Sequence, residues 1–169
     1  VLVATDRIAR TLAGGSGGLV HAQTFSHHPV LCAGGIAALR YLTQHRLVER
    51  SAEMGRVLHR EFEQLRMLPH VGDVRGRGLL AGIEFVADTV TRAPFARHEG
   101  FAEAFTAAAL AEGLVVWPNV GQADGINGDL VMIAPPFTIS EAEIGEIVQR
   151  FGRALDRTLA GRGSRTAAV

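Results

Sequence analysis

A change of hydrophobic period near residue 70 limits this chain to a fold that combines helices with a sheet. Before that point apolar residues recur at helical spacing, whereas segment 71–88, VGDVRGRGLLAGIEFVAD, alternates apolar and polar residues around a glycine-rich turn. A period of two is typical of a half-buried β-strand, and a turn between two such runs is typical of a hairpin. The segment therefore predicts two short strands, Gly72–Arg75 and Leu79–Ala87.

Helix boundary signals occur on both sides of this segment. Proline is tolerated only in the first turn of a helix, so Pro29 predicts a helix that begins at Ser26 or His28. Ser140 and Glu143 have the spacing of a capping box, and an apolar stripe follows them. The predicted helices are Asp6–Leu12, 26–44, Leu47–Met67, Phe101–Glu112 and 140–159.

Three apolar runs predict further strands, namely Val1–Ala4, Leu114–Trp117 and Asp129–Pro136. Short strands interleaved with helices predict an α/β fold, in which a small, mainly antiparallel sheet carries helices on one face. Gly34 and Gly35 lie inside a predicted helix, where each costs about 1 kcal/mol relative to alanine. We therefore expect another backbone to pack closely against these two glycines.

Composition argues against several function classes. Seventeen acidic residues balance seventeen basic residues, whereas proteins that bind nucleic acid or membrane surfaces usually carry a basic excess. No apolar run approaches the roughly 20 residues needed to span a bilayer. Cys32 is the only cysteine, which is typical of a reducing compartment. We therefore expect a cytoplasmic protein without a nucleic-acid or membrane partner.

All seventeen basic residues are arginine, and the chain contains no lysine. A Schiff base needs an amine nucleophile, and a P-loop needs a lysine beside the phosphates. The chain by itself supplies neither. Its first residues, VLVAT, have the pattern of a buried strand, which normally has neighbours on both sides. We therefore expect this sequence to be part of a longer chain.

Segment 18–35, GLVHAQTFSHHPVLCAGG, concentrates side chains capable of chemistry. A zinc site needs four convergent ligands, and no second well-spaced pair follows His28 and Cys32, so we predict no metal site. The apolar run around Cys32 favours an inert buried thiol over a nucleophile. Hydroxyls of Thr24 and Ser26 at a helix start suit a phosphate, although capping of the helix by Ser26 explains much of the same pattern.

Two further places leave alternatives open. Arg75 and Arg77 flank a glycine at the end of a predicted strand, where they are able to clamp a carboxylate or to form structural ion pairs. Trp117 ends another predicted strand and belongs either to the core or to a pocket wall.

Three blocks, taken in order, resemble the C-terminal part of the class III pyridoxal-phosphate-dependent aminotransferases, the omega-aminotransferase family. The blocks are GSGGLVHAQTFSHHPVLCAGGIAALRYL, VGDVRGRGLLAGIEFVAD and GDLVMIAPPFTISEAEIGEIV. The resemblance implies a piece of a fold-type-I enzyme. Residues 1–44 would be a remnant of the large cofactor-binding domain with the interdomain helix, residues 45–160 the C-terminal small domain, and residues 161–169 a frayed tail.

The resemblance also implies where the cofactor chemistry lies. In the family the Schiff-base lysine precedes a strand similar to VLVATDRIA, so we expect it upstream of Val1, with no catalytic residue in this chain. A family motif of His, two residues and Thr matches His21 to Thr24, where the threonine contacts the phosphate of pyridoxal 5′-phosphate in the partner subunit. Thr24, with the backbone of Gln23, is therefore the expected cofactor contact in a homodimer.

Substrate preference is a further implication of the resemblance. Other members bind a substrate carboxylate with arginine at the positions of Met132 and Trp117, so a pocket for amines or bulky apolar substrates is expected here. Together with Met132 and Trp117, Arg75 is expected to line the substrate pocket, although we interpret its role as mainly structural. The implied reaction moves an amino group from an amine or amino acid to a keto acid such as pyruvate. The alternative, favoured by the missing lysine, is a non-catalytic α/β association module.

Overall fold

The computed structural model describes residues 3–18 and 23–166, the last four of these by their backbone alone. The chain divides into two compact units, Val1–Gln44 and His45–Val169. Each unit is described by itself below. No helix in the described ranges is both long enough and apolar enough to cross a membrane.

The first unit contains helices α1 (Asp6–Gly14) and α2 (Pro29–Gln44). Pro29 is the first residue of α2, as the missing N–H of proline requires. The strand predicted at the start of the chain is not observed, because Val3 and Ala4 have no regular structure, while residues 1–2 lie outside the described ranges. A strand needs a hydrogen-bonded neighbour, and the described part of this unit contains no second strand.

Helix α2 carries apolar side chains that this chain leaves exposed. Val30 is 70% exposed and Leu39 is 58% exposed. A Cβ atom added at Gly34 or Gly35 would meet no atom within 4 Å. The expected close approach of another backbone at these glycines is therefore wrong for the described chain.

The second unit is an α/β domain whose four strands form one antiparallel sheet of order β1-β2-β4-β3. Helices α3, α4 and α5 pack over one face of this sheet. The predicted fold class is therefore confirmed. In chain order the elements are α3 (Leu47–Phe62), a 3-10 turn (Glu63–Met67), β1 (Val71–Arg77), β2 (Leu80–Phe85), a 3-10 turn (Arg97–Glu99), α4 (Phe101–Ala111), β3 (Trp117–Val120), β4 (Asp129–Ile133) and α5 (Glu141–Thr166).

The core of this unit lies between the sheet and the helices. Alternate residues of the two central strands point into it, so Ile83 and Phe85 on β2 and Val131 on β4 are completely buried. A cluster of phenylalanine rings fills the space beneath the helices; the Phe85 and Phe105 centroids are 4.8 Å apart. The alternation in the sequence thus reports the buried face of the sheet, and the other face is left open.

The β1–β2 turn sits directly on α3, and glycine makes this contact possible. Gly78 has φ of +56°, and a Cβ on Gly55 of α3 would lie 2.6 Å from the Gly78 backbone. A Cβ on Gly76 would lie 2.0 Å from the Leu80 carbonyl oxygen. Neither distance leaves room for a side chain, so the glycines of VRGRG allow the hairpin to pack against the helix backbone.

Strand β3 begins where the sequence pattern predicted an end. The predicted strand Leu114–Trp117 is wrong, because β3 starts at Trp117 and continues through the segment expected to be a loop. Leu114 and Val116 are buried in the core without belonging to a strand, which accounts for their apolar character. Pro118 is tolerated because β3 lies at the edge of the sheet.

Helix α5 confirms the capping box and extends further than predicted. The Ser140 N–H donates to Glu143 Oε2 at 2.7 Å, and the Glu143 N–H donates to Ser140 Oγ at 3.3 Å. Residues 161–166, which fall in the segment predicted to be a frayed tail, are helical; residues 167–169 lie outside the described ranges. Arg162 stabilises this end, since it pairs with Glu99 and stands 4.8 Å from the ring centre of Phe95.

Candidate functional site

Gln23 and Thr24 lie in a tight turn in front of α2. The Ser26 N–H donates to the Gln23 carbonyl at 2.9 Å, and the Gln23 N–H donates to Ser26 Oγ at 3.2 Å. Ser26 therefore closes the turn and does not cap α2 as expected, because its hydroxyl accepts from Gln23 and the helix begins three residues later, at Pro29.

The Thr24 side chain is exposed, and its hydroxyl makes no hydrogen bond with any described residue. It is thus free to donate to an external acceptor. Both the N–H and the carbonyl of Gln23 are already hydrogen-bonded to Ser26. His21, the first residue of the motif that ends at Thr24, lies outside the described residues.

The other reactive side chains of this segment do not converge. His28 stands edge-on to the Phe25 ring with centroids 6.1 Å apart. Cys32 is exposed on α2, so the prediction of a buried thiol is wrong for the described residues. Across the described ranges, no three His, Cys, Asp or Glu side chains are grouped to hold a metal ion.

The second place of interest is the open face of the sheet, where strand pairing aligns all three expected pocket residues. Arg75 lies opposite Gly82, Gly82 lies opposite Met132, and Met132 lies opposite Trp117. Directly paired residues point to the same face. We call Arg75, Gly82, Met132 and Trp117 the open-face row.

The open-face row is mostly apolar. Trp117 is 68% exposed and Met132 is half-buried. Gly82 lacks a side chain, and a Cβ added there would approach Leu130 Cδ1 to 3.2 Å. The row therefore places an indole and a thioether side by side on the open face, an arrangement suited to apolar groups.

Arg75 at the end of the row is held by two carboxylates. Its Nη1 lies 2.9 Å from Asp73 Oδ2 and 2.6 Å from Glu84 Oε2. Hydrogen bonds to Glu84 and Asp73 raise the pKa of Arg75, while Arg66, followed by Arg75, lowers the pKa of Asp73. These contacts are those of a structural ion-pair network and leave little capacity for an external carboxylate.

Two arginines that the sequence analysis missed bind segments next to the strands that carry Met132 and Trp117. Arg50 on α3 donates from Nε to the Phe137 carbonyl at 2.7 Å, in the segment that follows β4. Arg150 on α5 donates from Nη1 to the carbonyls of Glu112 and Gly113 at 2.8 and 3.0 Å, in the segment that precedes β3. Their partners are 87 and 38 residues away along the chain, so no local pattern identifies them.

Residues 1–155 match the family model for class-III aminotransferases. The chain belongs to the class-III aminotransferase family. An uncharacterized aminotransferase of Bacillus subtilis (strain 168), YodT, is 37% identical over 150 residues, which cover 88% of this chain and 34% of YodT.

Other class-III relatives are similar over comparable lengths. Adenosylmethionine-8-amino-7-oxononanoate aminotransferase of Methanocaldococcus jannaschii is 31% identical over 145 residues, covering 83% of this chain and 29% of that protein. The chain thus spans about a third of the length of the curated relatives it matches.

Solved transaminase structures share the fold. An (S)-enantioselective omega-transaminase from Thermomicrobium roseum superimposes with a TM-score of 0.76 at 34% identity, over 92% of this chain and 33% of that one. A transaminase from the marine bacterium Virgibacillus gives a TM-score of 0.78 at 28% identity, over 92% and 35%. The family resemblance drawn from the three sequence blocks is therefore confirmed.

Proposed function

We propose that this chain is the C-terminal part of a pyridoxal-phosphate-dependent aminotransferase that moves an amino group from an amine or amino acid to a keto acid such as pyruvate. Membership of the class-III family supports amino transfer in general. The geometric observation that carries the proposal is the open-face row, since strand register aligns Arg75, Met132 and Trp117 on the uncovered side of the sheet. In this proposal residues 45–160 form the small domain and residues 1–44 belong to the large domain.

Pyridoxal 5′-phosphate would supply the electron sink for this reaction when bound. A structurally similar omega-transaminase from Pseudomonas jessenii was solved in complex with PMP, with a TM-score of 0.71 at 32% identity over 91% of this chain and 32% of that one. In this chain Thr24 fits a phosphate contact, because its exposed hydroxyl has no partner among the described residues. Gln23 fits less well, since its N–H already donates to Ser26.

The remaining parts of the site come from outside these 169 residues. A Schiff-base lysine is required, and the chain contains none. We infer that the lysine lies upstream of Val1, that the enzyme is a cytoplasmic homodimer, and that Thr24 contacts the cofactor of the partner subunit. The 169 residues alone would then be inactive and show no lysine-type cofactor absorbance.

The direct test uses the protein translated from the whole reading frame that contains this sequence, loaded with pyridoxal phosphate. We expect conversion of pyruvate to alanine with an amine donor. Thr24→Val should raise the Kd for pyridoxal phosphate about tenfold, because one hydrogen bond to a charged group is lost. Thr43→Val is the matched control, since the Thr43 hydroxyl donates to the Leu39 carbonyl within α2.

Two results would count against this proposal in different ways. Absence of transamination with every donor, in a protein that carries the lysine and the cofactor, would overturn the function. Unchanged cofactor affinity in Thr24→Val, with activity present, would remove Thr24 from the phosphate site alone.

The finer part of the proposal concerns substrates. Met132 and Trp117 in the open-face row carry no charge, and Arg75 is paired with two carboxylates. We therefore infer a preference for amines or bulky apolar donors over donors with a second carboxylate. Met132→Arg should shift the preference towards ornithine-like acids, measured as the ratio of kcat/KM for the two donor classes. An unmutated enzyme that already prefers ornithine-like acids would contradict this inference.

A non-catalytic α/β association module is the second candidate, and the absence of lysine is the observation that favours it. The two candidates differ in what the reading frame encodes before Val1. An adjoining lysine-bearing domain, or a separate lysine-bearing chain that co-purifies with this one, supports the enzyme. A start codon at this point with no such partner supports the module.

A further inference from the structure

The connection between β4 and α5 is held from the side by one residue, Arg50. Its Nε donates to the Phe137 carbonyl at 2.7 Å, and its Nη2 donates to the Ile139 carbonyl at 2.8 Å and reaches the Thr138 carbonyl at 3.4 Å. A guanidinium has the planar fork needed to bind neighbouring acceptors together. One half-buried side chain thus determines the path of three consecutive residues.

The backbone of Arg50 is held in place by the packing of α3 against the sheet. It lies on α3, five residues before Gly55, which touches the backbone of Gly78 in the β1–β2 turn. Leu58 and Phe62, further along the same helix, are completely buried. Helix α3 therefore cannot shift independently of the sheet, and the position of the Arg50 backbone is set by the sheet itself.

The clamped segment is coupled closely to the open-face row. It joins β4 directly after Ile133, the neighbour of Met132, through Pro135 and Pro136. Each proline has φ near −65° and cannot absorb a change by rotation about that bond. A displacement at 137–139 is therefore transmitted towards the end of β4 that presents Met132.

We propose that Arg50 is a positioning residue for the substrate wall: by binding the carbonyls of Phe137 and Ile139 it holds the 134–139 segment and so the end of β4 at Met132. This role rests on the proposed aminotransferase function. Arg50 does not touch the substrate. Its contribution is to keep the open-face row in one arrangement when a donor binds.

The prediction distinguishes a positioning role from a general stabilising role. In the complete holoenzyme, Arg50→Ala should raise the KM for an apolar amine donor about tenfold and change kcat by about twofold or less, since the reacting groups lie elsewhere. The KM of Arg50→Lys should lie between those of the unmutated enzyme and Arg50→Ala, because an ammonium group cannot bind two carbonyls in the forked geometry of a guanidinium. Hydrogen exchange should accelerate in the peptide that covers 134–139 and not in α4.

Arg56→Ala is the matched control. Arg56 lies on the same helix, is exposed, and makes no ion pair or hydrogen bond with any described residue. Its removal should leave KM, kcat and the exchange pattern unchanged. Arg50→Lys also keeps the test informative if Arg50→Ala does not fold.

The outcomes separate this inference from the function on which it rests. If the unmutated enzyme transaminates and the Arg50 variants lower Tm without raising KM, the positioning role is overturned. If exchange in 134–139 is unchanged, the clamp itself is overturned, with or without turnover. If the unmutated holoenzyme has no transaminase activity, the proposed function fails instead.

Discussion

At the scale of single residues, the space left by neighbouring atoms decides whether a position in this domain can carry a side chain. Gly55 and Gly78 bring a helix and a turn into backbone contact, whereas Gly145 on α5 has no atom within 4 Å of its added Cβ. The same amino acid is therefore required at one helical position and dispensable at another. A helix propensity scale alone treats these positions identically.

This contrast gives a matched pair of substitutions. Gly55→Ala should lower the free energy of unfolding by about 2–3 kcal/mol, because its methyl group would overlap the Gly78 backbone. Gly145→Ala should raise it by up to about 1 kcal/mol through helix propensity. Urea denaturation of both variants checks the pair; similar effects in both would contradict the packing argument.

Asp129 is a buried carboxylate whose ionisation opposes folding. It is 2% exposed and accepts the Ala102 N–H at 2.8 Å, at the start of α4. Burial raises the pKa of Asp129, partly offset by this hydrogen bond. Because the folded pKa lies above the unfolded value, the carboxyl holds its proton better in the folded state, and stability falls as pH rises through the folded pKa.

Asp129→Asn should therefore gain stability relative to the unmutated protein as pH increases. The amide oxygen still accepts from Ala102 and carries no charge to desolvate. Unfolding free energies measured in urea from about pH 4 to pH 7 should show a difference that grows with pH. A constant difference between the two proteins would show that charge at this position does not matter.

At the scale of elements, the end of α5 is tied to the turn before α4. Arg162 pairs with Glu99 and stands 4.8 and 5.4 Å from the ring centres of Phe95 and Phe101. The hydrogen bond from Arg162 lowers the pKa of Glu99. These contacts explain why α5 continues beyond Leu159, the last residue of the apolar stripe from which its length was predicted.

Arg162→Met should lower the free energy of unfolding by about 1–2 kcal/mol near neutral pH. A depressed folded pKa makes the Glu99 contribution complete above its unfolded pKa and lost as pH falls through the folded value. The gap between variant and unmutated protein should therefore narrow in acid, which urea denaturation at several pH values measures. A gap that widens in acid would contradict the ion pair.

At the scale of the whole molecule, the feature that matters for association is the exposed apolar side chains of α2. Leu31 and Leu39 on α2 are 59% and 58% exposed. Contiguous exposed apolar surface promotes association. We expect the isolated 169 residues to form oligomers or aggregates in sizing experiments with light scattering.

Substitution of Leu31 and Leu39 together by glutamate should shift the isolated chain towards monomer. Leu110→Glu is the control, because Leu110 is a single exposed leucine on α4 in the second unit, at 65% exposure. A cleanly monomeric unmutated chain would contradict the expectation. Equal shifts for the double variant and the control would show that α2 is not the associating surface.

Much of the fold was predictable from short stretches of sequence, and much of the candidate site was not. The capping box at Ser140, the presence of a helix that starts close to Pro29 and the hairpin in VGDVRGRGLLAGIEFVAD depend on residues a few positions apart. The strand misplaced at Leu114–Trp117 shows the limit, because an apolar run reports burial and not hydrogen-bonded pairing.

The pattern of apolar and polar residues predicted most of the elements and the α/β class, and the resemblance of three sequence blocks pointed to the family of this chain. The alignment of Gly82, Met132 and Trp117, and the carbonyls bound by Arg50, followed only from the folded sheet. The physical reason is range: hydrophobic period and helix caps act over one or two turns of chain. Strand register and long-range hydrogen bonds arise only when segments distant in sequence pack together.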